Sequence, residues 1–160
     1  MGTEIERKFL VKDNRWQSGL KGVLCRQGYL TTNSDTTVRV RIKGDRGYLT
    51  IKGPSEGLTR AEYEYEIPIQ DAIEMLNQYC VEGVVEKERF MVSHDAMTWE
   101  IDVFKGQNEG LILAEVELID EEQVVAIPEW VGEEVSHDPQ YRNAYLAQHP
   151  YCNWTDSDGS

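Results

Sequence analysis

The chain has 160 residues, 29 of them acidic against 16 Lys and Arg, for a formal net charge of −13. That balance excludes long-range attraction to nucleic acid or to an anionic lipid surface, so an anionic ligand has to be met by locally gathered cations. With 40% hydrophobic residues, residues 1–150 are expected to fold as one domain, followed by a disordered acidic tail over 151–160. Cys25, Cys80 and Cys152 form neither an even disulfide framework nor a closely spaced metal motif. No apolar run reaches membrane-spanning length, and the N-terminus opens on a charged strand pattern in place of a leader. Free thiols in a cytoplasmic protein are the expectation.

The first strand pattern, residues 3–11, places Glu4, Glu6 and Lys8 on one face and Ile5, Phe9 and Val11 on the other. Two carboxylates and an ammonium on one surface suit a hard divalent cation and a phosphate. Residues 13–22 are polar, with Trp16 and Leu20 at the spacing of a short helical turn. A strand over 23–32 sets Gln27, Tyr29 and Thr31 on one face, and a turn at Asn33-Ser34-Asp35 leads into 36–43, where Arg39, Arg41 and Lys43 oppose Val38, Val40 and Ile42. Gly44-Asp45-Arg46-Gly47 is a hairpin connection to the strand 48–52, which Gly53-Pro54 is expected to end.

Residues 58–69 form the longest strand pattern, with Glu62, Glu64 and Glu66 on one face and Tyr63, Tyr65 and Ile67 on the other. Helical spacing follows over 70–80, its stripe of Ile69, Ile73, Leu76 and Cys80 suited to covering a sheet. Alternation returns from residue 83, with Val85, Lys87, Arg89 and Met91 opposite Glu86, Glu88, Phe90 and Val92. After a turn at His94-Asp95, Thr98, Glu100 and Asp102 oppose Trp99, Ile101 and Val103. A last strand over 111–118 carries Glu115 and Glu117. Asp138-Pro139 is a helix start, an acid at the N-cap and Pro in the first turn, for a helix running to residue 149.

Of these eight strand patterns, six carry a largely apolar face and a charged one. An open sheet with a wet face satisfies this, and so does a closed barrel with a charged interior. The segregation of charge by strand favours the barrel, because Arg39, Arg41, Lys52, Lys87 and Arg89 come from three strands and most acids from others. Eight strands close at a diameter that holds one small ligand.

Taken together, Glu4-Ile5-Glu6-Arg7-Lys8, Arg39-Val40-Arg41, Thr50-Ile51-Lys52, Arg60-Ala61-Glu62-Tyr63-Glu64, Lys87-Glu88-Arg89-Phe90, Glu100-Ile101-Asp102 and Glu115-Val116-Glu117 resemble, in order, the strand motifs of the triphosphate tunnel metalloenzymes, or CYTH proteins. The resemblance runs from Thr3 to about Gln148. It implies an α+β, mainly β fold: a closed eight-stranded antiparallel barrel with a few peripheral helices. Residues 127–135 and Tyr141-Arg142-Asn143 look like the short bacterial members, in which the last helix plugs one tunnel mouth. Arg142 stands where a Lys is usual, and Glu66 is an additional acid.

The resemblance implies a metal-dependent triphosphatase in which water attacks a terminal phosphorus of inorganic tripolyphosphate or a related triphosphate. Alternatives in the same frame are a class IV adenylate cyclase and a non-catalytic polyphosphate-binding module. Lys8, Arg39, Arg41, Lys52, Lys87 and Arg89 are the expected substrate ligands, Arg as bidentate forks and Lys as point charges. Glu4, Glu6, Glu62, Glu64, Asp102, Glu115 and Glu117 are the candidate metal ligands. All-oxygen ligation fits Mg2+ or Mn2+, and His94, His137 and His149 read as structural together with the cysteines. Some family members pair a Tyr with the Lys of the first motif, which would cast Lys8 and Tyr29 as a base dyad. The expected partner is a small-molecule triphosphate, with no nucleic acid and no membrane, and the apolar outer face is compatible with a homodimer.

Overall fold

In the computed structural model, residues 2–31, 35–80 and 83–154 are described. Their strands are β1 (Thr3–Val11), β2 (Val23–Thr31), β3 (Thr37–Lys43), β4 (Arg46–Glu56), β5 (Thr59–Ile67), β6 (Val84–His94), β7 (Met97–Phe104), β8 (Ile112–Glu117) and β9 (Val131–Glu134). Two α-helices join them, α1 (Ile69–Gln78) and α2 (Asn143–Gln148). The ladder runs β5-β4-β3-β2-β6-β7-β8-β1, and pairing of β1 with β5 closes it into a ring of eight antiparallel strands. The closed barrel is therefore realised, and the open sheet is not.

Closure depends on how β1 divides its edges. Glu6 to Leu10 pair with β8, whereas Thr3, Glu4 and Ile5 pair with β5, and Phe9 and Val11 pair with the short β9. β9 lies in the 127–135 segment, which the alternation pattern left without a strand.

Strand alternation then sorts side chains into lumen and exterior. On the exterior of β1, β6, β7 and β8, a cluster of Phe9, Phe90, Trp99, Ile101, Ala114 and Val116 is capped by Trp16, Val125 and Trp130. Trp16 lies on a 3-10 turn at Arg15–Gln17 and meets Phe90 edge-on at 5.1 Å, while Leu20 is exposed. Helix α1 covers the exterior of β3 and β4 through Ala72 and Leu76 against Val40. Gly28 and Gly47 permit that close seat, since a Cβ at either position would meet Cys80 or Ala72 at 2.7 Å. A third cluster fills one end of the lumen: Val85, Phe104, Leu111 and Leu113 pack with Leu146 and Ala147 of α2. The C-terminal helix is thus an apolar stopper at one end of the barrel.

Four expectations shift. The strand expected to end at residue 52 continues to Glu56, its register slipping between Lys52 and Ser55, so Pro54 sits where the ladder is already interrupted. The turn after β6 falls at Asp95 and Ala96, both with positive φ, and not at His94-Asp95. The helix expected over 138–149 is broken: Asp138 caps a 3-10 turn at Pro139–Tyr141, Arg142 is extended, and α2 starts at Asn143. Within the expected tail, Tyr151–Asn153 form a 3-10 turn, and Trp154 packs edge-on against Tyr141, Tyr145 and Tyr151. Asn33 and Ser34 of the expected turn, and residues 155–160 of the expected tail, lie outside the described residues.

Candidate active site

A cavity of about 520 Å³ occupies the rest of the lumen. It is lined by Lys8, Tyr29, Arg39, Arg41, Lys52, Lys87 and Arg89 and by Glu4, Glu6, Glu62, Glu64, Glu115 and Glu117. Of the expected site residues, Asp102 alone does not line it. Arg60, Arg142, Lys43 and Glu100 line it as well. Period two from Glu62 and Glu64 points Arg60 inward, and period two from Arg39 and Arg41 does the same for Lys43, so both were legible. Glu66, by contrast, leaves the lumen and pairs with Arg46 at 3.2 Å on the surface.

The cross-strand register decides which charges meet. Arg89 lies directly opposite Asp102, and Asp102 is almost wholly buried. Arg89 Nε donates to Asp102 Oδ1 at 2.8 Å, and Arg89 Nη2 and Lys87 Nζ donate to Oδ2 at 2.9 and 2.8 Å. Burial alone would favour the neutral acid, but the two cations overrule it and hold Asp102 well below the usual carboxylate range. Burial also works against the charge of Arg89, which Asp102 nevertheless strengthens. Lys87 is pushed down to about 8 by its burial, with Asp102 opposing the shift. Asp102 is a counter-ion beneath the cavity floor with both oxygens engaged.

A second group of acids is arranged differently. Lys8 lies opposite Glu115, and Glu6 opposite Glu117. Burial and the neighbouring carboxylates Glu115 and Glu4 push the Glu6 carboxyl well above its ordinary range. Glu115 moves the other way, to about 2: burial opposes ionisation, but Lys8 and a hydrogen bond from Glu6 outweigh it. Of the two neighbouring carboxyls, Glu6 is therefore the more readily protonated. Glu62 and Glu117 are also raised, each by burial and then by Glu4. Glu4 accepts from Lys52 Nζ at 3.0 Å, and Glu62 lies 3.7 Å from the same nitrogen.

On the basic wall, Arg39 Nη2 donates to Thr50 Oγ1 at 3.1 Å and lies 3.4 Å from Glu64, while its buried Nε has no hydrogen-bond partner among the described residues. A buried donor without an acceptor is costly, and an anion in the cavity would satisfy it. Burial, then the proximity of Arg39 and Arg89, lowers Arg41 to about 10. The members of the expected Lys8–Tyr29 dyad are each engaged elsewhere. Lys8 Nζ donates to the Tyr141 carbonyl at 2.9 Å and lies 3.7 Å from Glu115, and the Tyr29 hydroxyl accepts from Gln27 Nε2 at 3.1 Å.

The CYTH domain family matches residues 2–149. An inorganic triphosphatase of Acetivibrio thermocellus is 50% identical over 154 residues, covering 96% of this chain and 99% of that protein. An inorganic triphosphatase of Nitrosomonas europaea is 42% identical over 150 residues, covering 91% and 97%. The crystal structure of the inorganic triphosphatase NE1496 superposes with a TM-score of 0.67 at 38% identity, over 91% of this chain and 97% of that one. With the family matched over nearly its whole length, and with a closed barrel whose lumen gathers the family's charged strand motifs, the chain belongs to the CYTH family.

Proposed function

We propose that this chain is a metal-dependent inorganic triphosphatase that holds linear tripolyphosphate in the barrel lumen. The observation that carries the reading is that Lys8, Arg39, Arg41, Lys52, Lys87 and Arg89 line one cavity in a chain whose net charge is −13. Gathered against that background, such a cluster suits a polyanion. The same activity in relatives at 50% and 42% identity supports it.

The donor set fits a hard divalent cation such as Mg2+ or Mn2+. Glu4, Glu6, Glu115 and Glu117 supply only carboxylate oxygens, and the mutual repulsion that raises Glu6 is what a dication would relieve. Among the described residues, no three His, Cys, Asp or Glu converge tightly enough to make a complete site. Phosphate oxygens and water would complete the ligation, as suits Mg2+. When bound, the cation neutralises phosphate charge and acidifies water. Glu62 and Glu64 border the same cavity, and Asp102 acts through Lys87 and Arg89.

The residues of the chain supply alignment and charge. Arg39 and Arg41 fork onto phosphoryl oxygens, Arg89, with Nε and Nη2 held by Asp102, offers its remaining nitrogen, and Lys8, Lys52 and Lys87 neutralise the chain of phosphates. The apolar stopper formed by Leu146, Ala147 and Phe104 closes one end of the lumen to bulk water. A water oxygen bonds to the terminal phosphorus, the bridging P–O bond breaks, and pyrophosphate leaves with orthophosphate as the other product. Phosphoryl transfer needs little covalent help, so a preorganised cationic wall suffices. Phosphate release is expected from tripolyphosphate with Mg2+ or Mn2+ and not with chelator, and more slowly from ATP and thiamine triphosphate. Tight binding without release would identify a binding module, and cyclic AMP formed from ATP a cyclase.

A further inference from the structure

Gln27 is wholly buried on the lumenal face of β2, between Arg41 and Tyr29. Arg41 Nε donates to Gln27 Oε1 at 2.9 Å, and Gln27 Nε2 lies 3.1 Å from the Tyr29 hydroxyl. A guanidinium has donors and no acceptor, so Arg41 allows the amide one orientation: oxygen toward Arg41, NH2 toward Tyr29. The amide NH2 is also donor-only, so the Tyr29 oxygen must accept from it. The phenolic proton then points away from Gln27, and Tyr29 borders the cavity. The polarity of this three-residue chain is set by the one member that cannot be reversed. Its backbone is held as well, since Gly28 between the two side chains seats α1 against the opposite face of the strand.

We propose that Gln27 is a positioning residue that fixes Tyr29 as a hydrogen-bond donor to the phosphoryl group, and not as a proton acceptor. The proposal rests on the triphosphatase reading for its substrate. A donor held in place before substrate arrives stabilises the charge that builds on phosphoryl oxygens, whereas a base would have to give that proton up first. The same chain links substrate grip to this donor, because Arg41 both faces the phosphates and orients the amide.

The discriminating substitution is Gln27→Glu. A carboxylate of the same shape accepts from Arg41 and from Tyr29 alike, and so turns the phenolic proton out of the cavity. Gln27→Glu and Tyr29→Phe are each expected to lower kcat for tripolyphosphate on the order of 10²-fold, the usual loss of one preorganised donor, with a smaller change in KM. The double variant Gln27→Glu/Tyr29→Phe is expected to be no slower than the worse single variant, because both remove the same hydrogen bond. Losses that multiply in the double variant would overturn the proposal, as would loss in Tyr29→Phe of a rising acid limb of the pH–kcat profile, which would make Tyr29 a base. Should Gln27→Glu not fold, Gln27→Met frees the hydroxyl to rotate, and an intermediate loss is expected; wild-type kcat in Gln27→Met would overturn the proposal. Should the wild type release no phosphate from tripolyphosphate, the triphosphatase reading fails. Calorimetric affinity for tripolyphosphate then carries the same comparison of single and double variants.

Discussion

Asp102 and Glu6 are both buried carboxylates on lumenal faces of the barrel, and their electrostatic situations are opposite. Asp102 faces Arg89 across the β6–β7 ladder, with Lys87 at its other side, and its charge is satisfied within the protein. Glu6 faces Glu117 across the β1–β8 ladder, with Glu115 and Glu4 beside it, and burial together with those carboxylates pushes its carboxyl well above the ordinary range. The first arrangement is complete without a ligand. The second leaves like charges facing one another across the ladder. Residue type alone does not separate these two situations; the whole set of charges around each acid does.

The largest expected effect comes from breaking the satisfied side. Asp102→Ala leaves Lys87 and Arg89 buried without their counter-ion and should cost about 3–5 kcal/mol of stability, read from denaturant unfolding. Loss of turnover at full stability would instead mark Asp102 as a metal ligand. Glu6→Gln should do the reverse. Metal-dependent phosphate release falls on the order of 100-fold, while stability without metal is unchanged or higher, because the introduced amide can still donate to Glu115 without adding a charge. Unaltered turnover in that variant removes Glu6 from the metal site.

The same contrast predicts opposed pH dependences. Asp102 is lowered in the folded state, so its contribution is present above the unfolded carboxylate range and is lost as pH falls below about 4. Glu6 is raised, so its contribution is present at acid pH and is lost as pH rises above 4.5 through its folded value. In chelator, thermal stability should therefore decline with rising pH above 4.5, by no more than about 1.4 kcal/mol per pH unit. Glu6→Gln should flatten that decline. A smaller effect follows from Lys87, whose ammonium titrates at about 8 in the free protein. As pH passes that value the cavity loses a positive charge, so kcat/KM for tripolyphosphate should fall. Lys87→Arg should move the fall to higher pH. For stability the sign is the other way: the folded protein binds fewer protons than the unfolded chain between about 8 and 10.5, so this group favours folding more as pH rises there.

Much of this site was legible in the sequence because strand alternation is a period of two that needs no tertiary information. Lys8, Arg39, Arg41, Lys52 and Glu115 reach the lumen by parity alone. What parity does not supply is register. Placing the β6–β7 turn at His94-Asp95 would set Lys87 opposite Asp102. The turn at Asp95-Ala96 sets Arg89 there, and Lys87 reaches the same carboxylate diagonally. Ala is a weak signal for a positive-φ turn position, which hid the shift. Ring closure was less legible still, because it rests on a three-residue pairing between Thr3–Ile5 and Thr59–Ala61 that leaves no periodic trace. The break at Arg142 frees the Tyr141 carbonyl to accept from Lys8, a tertiary demand that overrides the helix signal of Asp138-Pro139.

The way β1 shares its two edges bears on how the molecule is made. Its partner β5 lies near residue 60, but β8 and β9 lie beyond residue 110, so β1 waits for strands far downstream. A nascent chain still short of those segments has the cavity-lining arginines of β3 but no enclosure around them. Such long-range pairing slows folding and leaves charged strands ajar meanwhile. The enclosed chamber comes into being only when the two ends of the polypeptide meet.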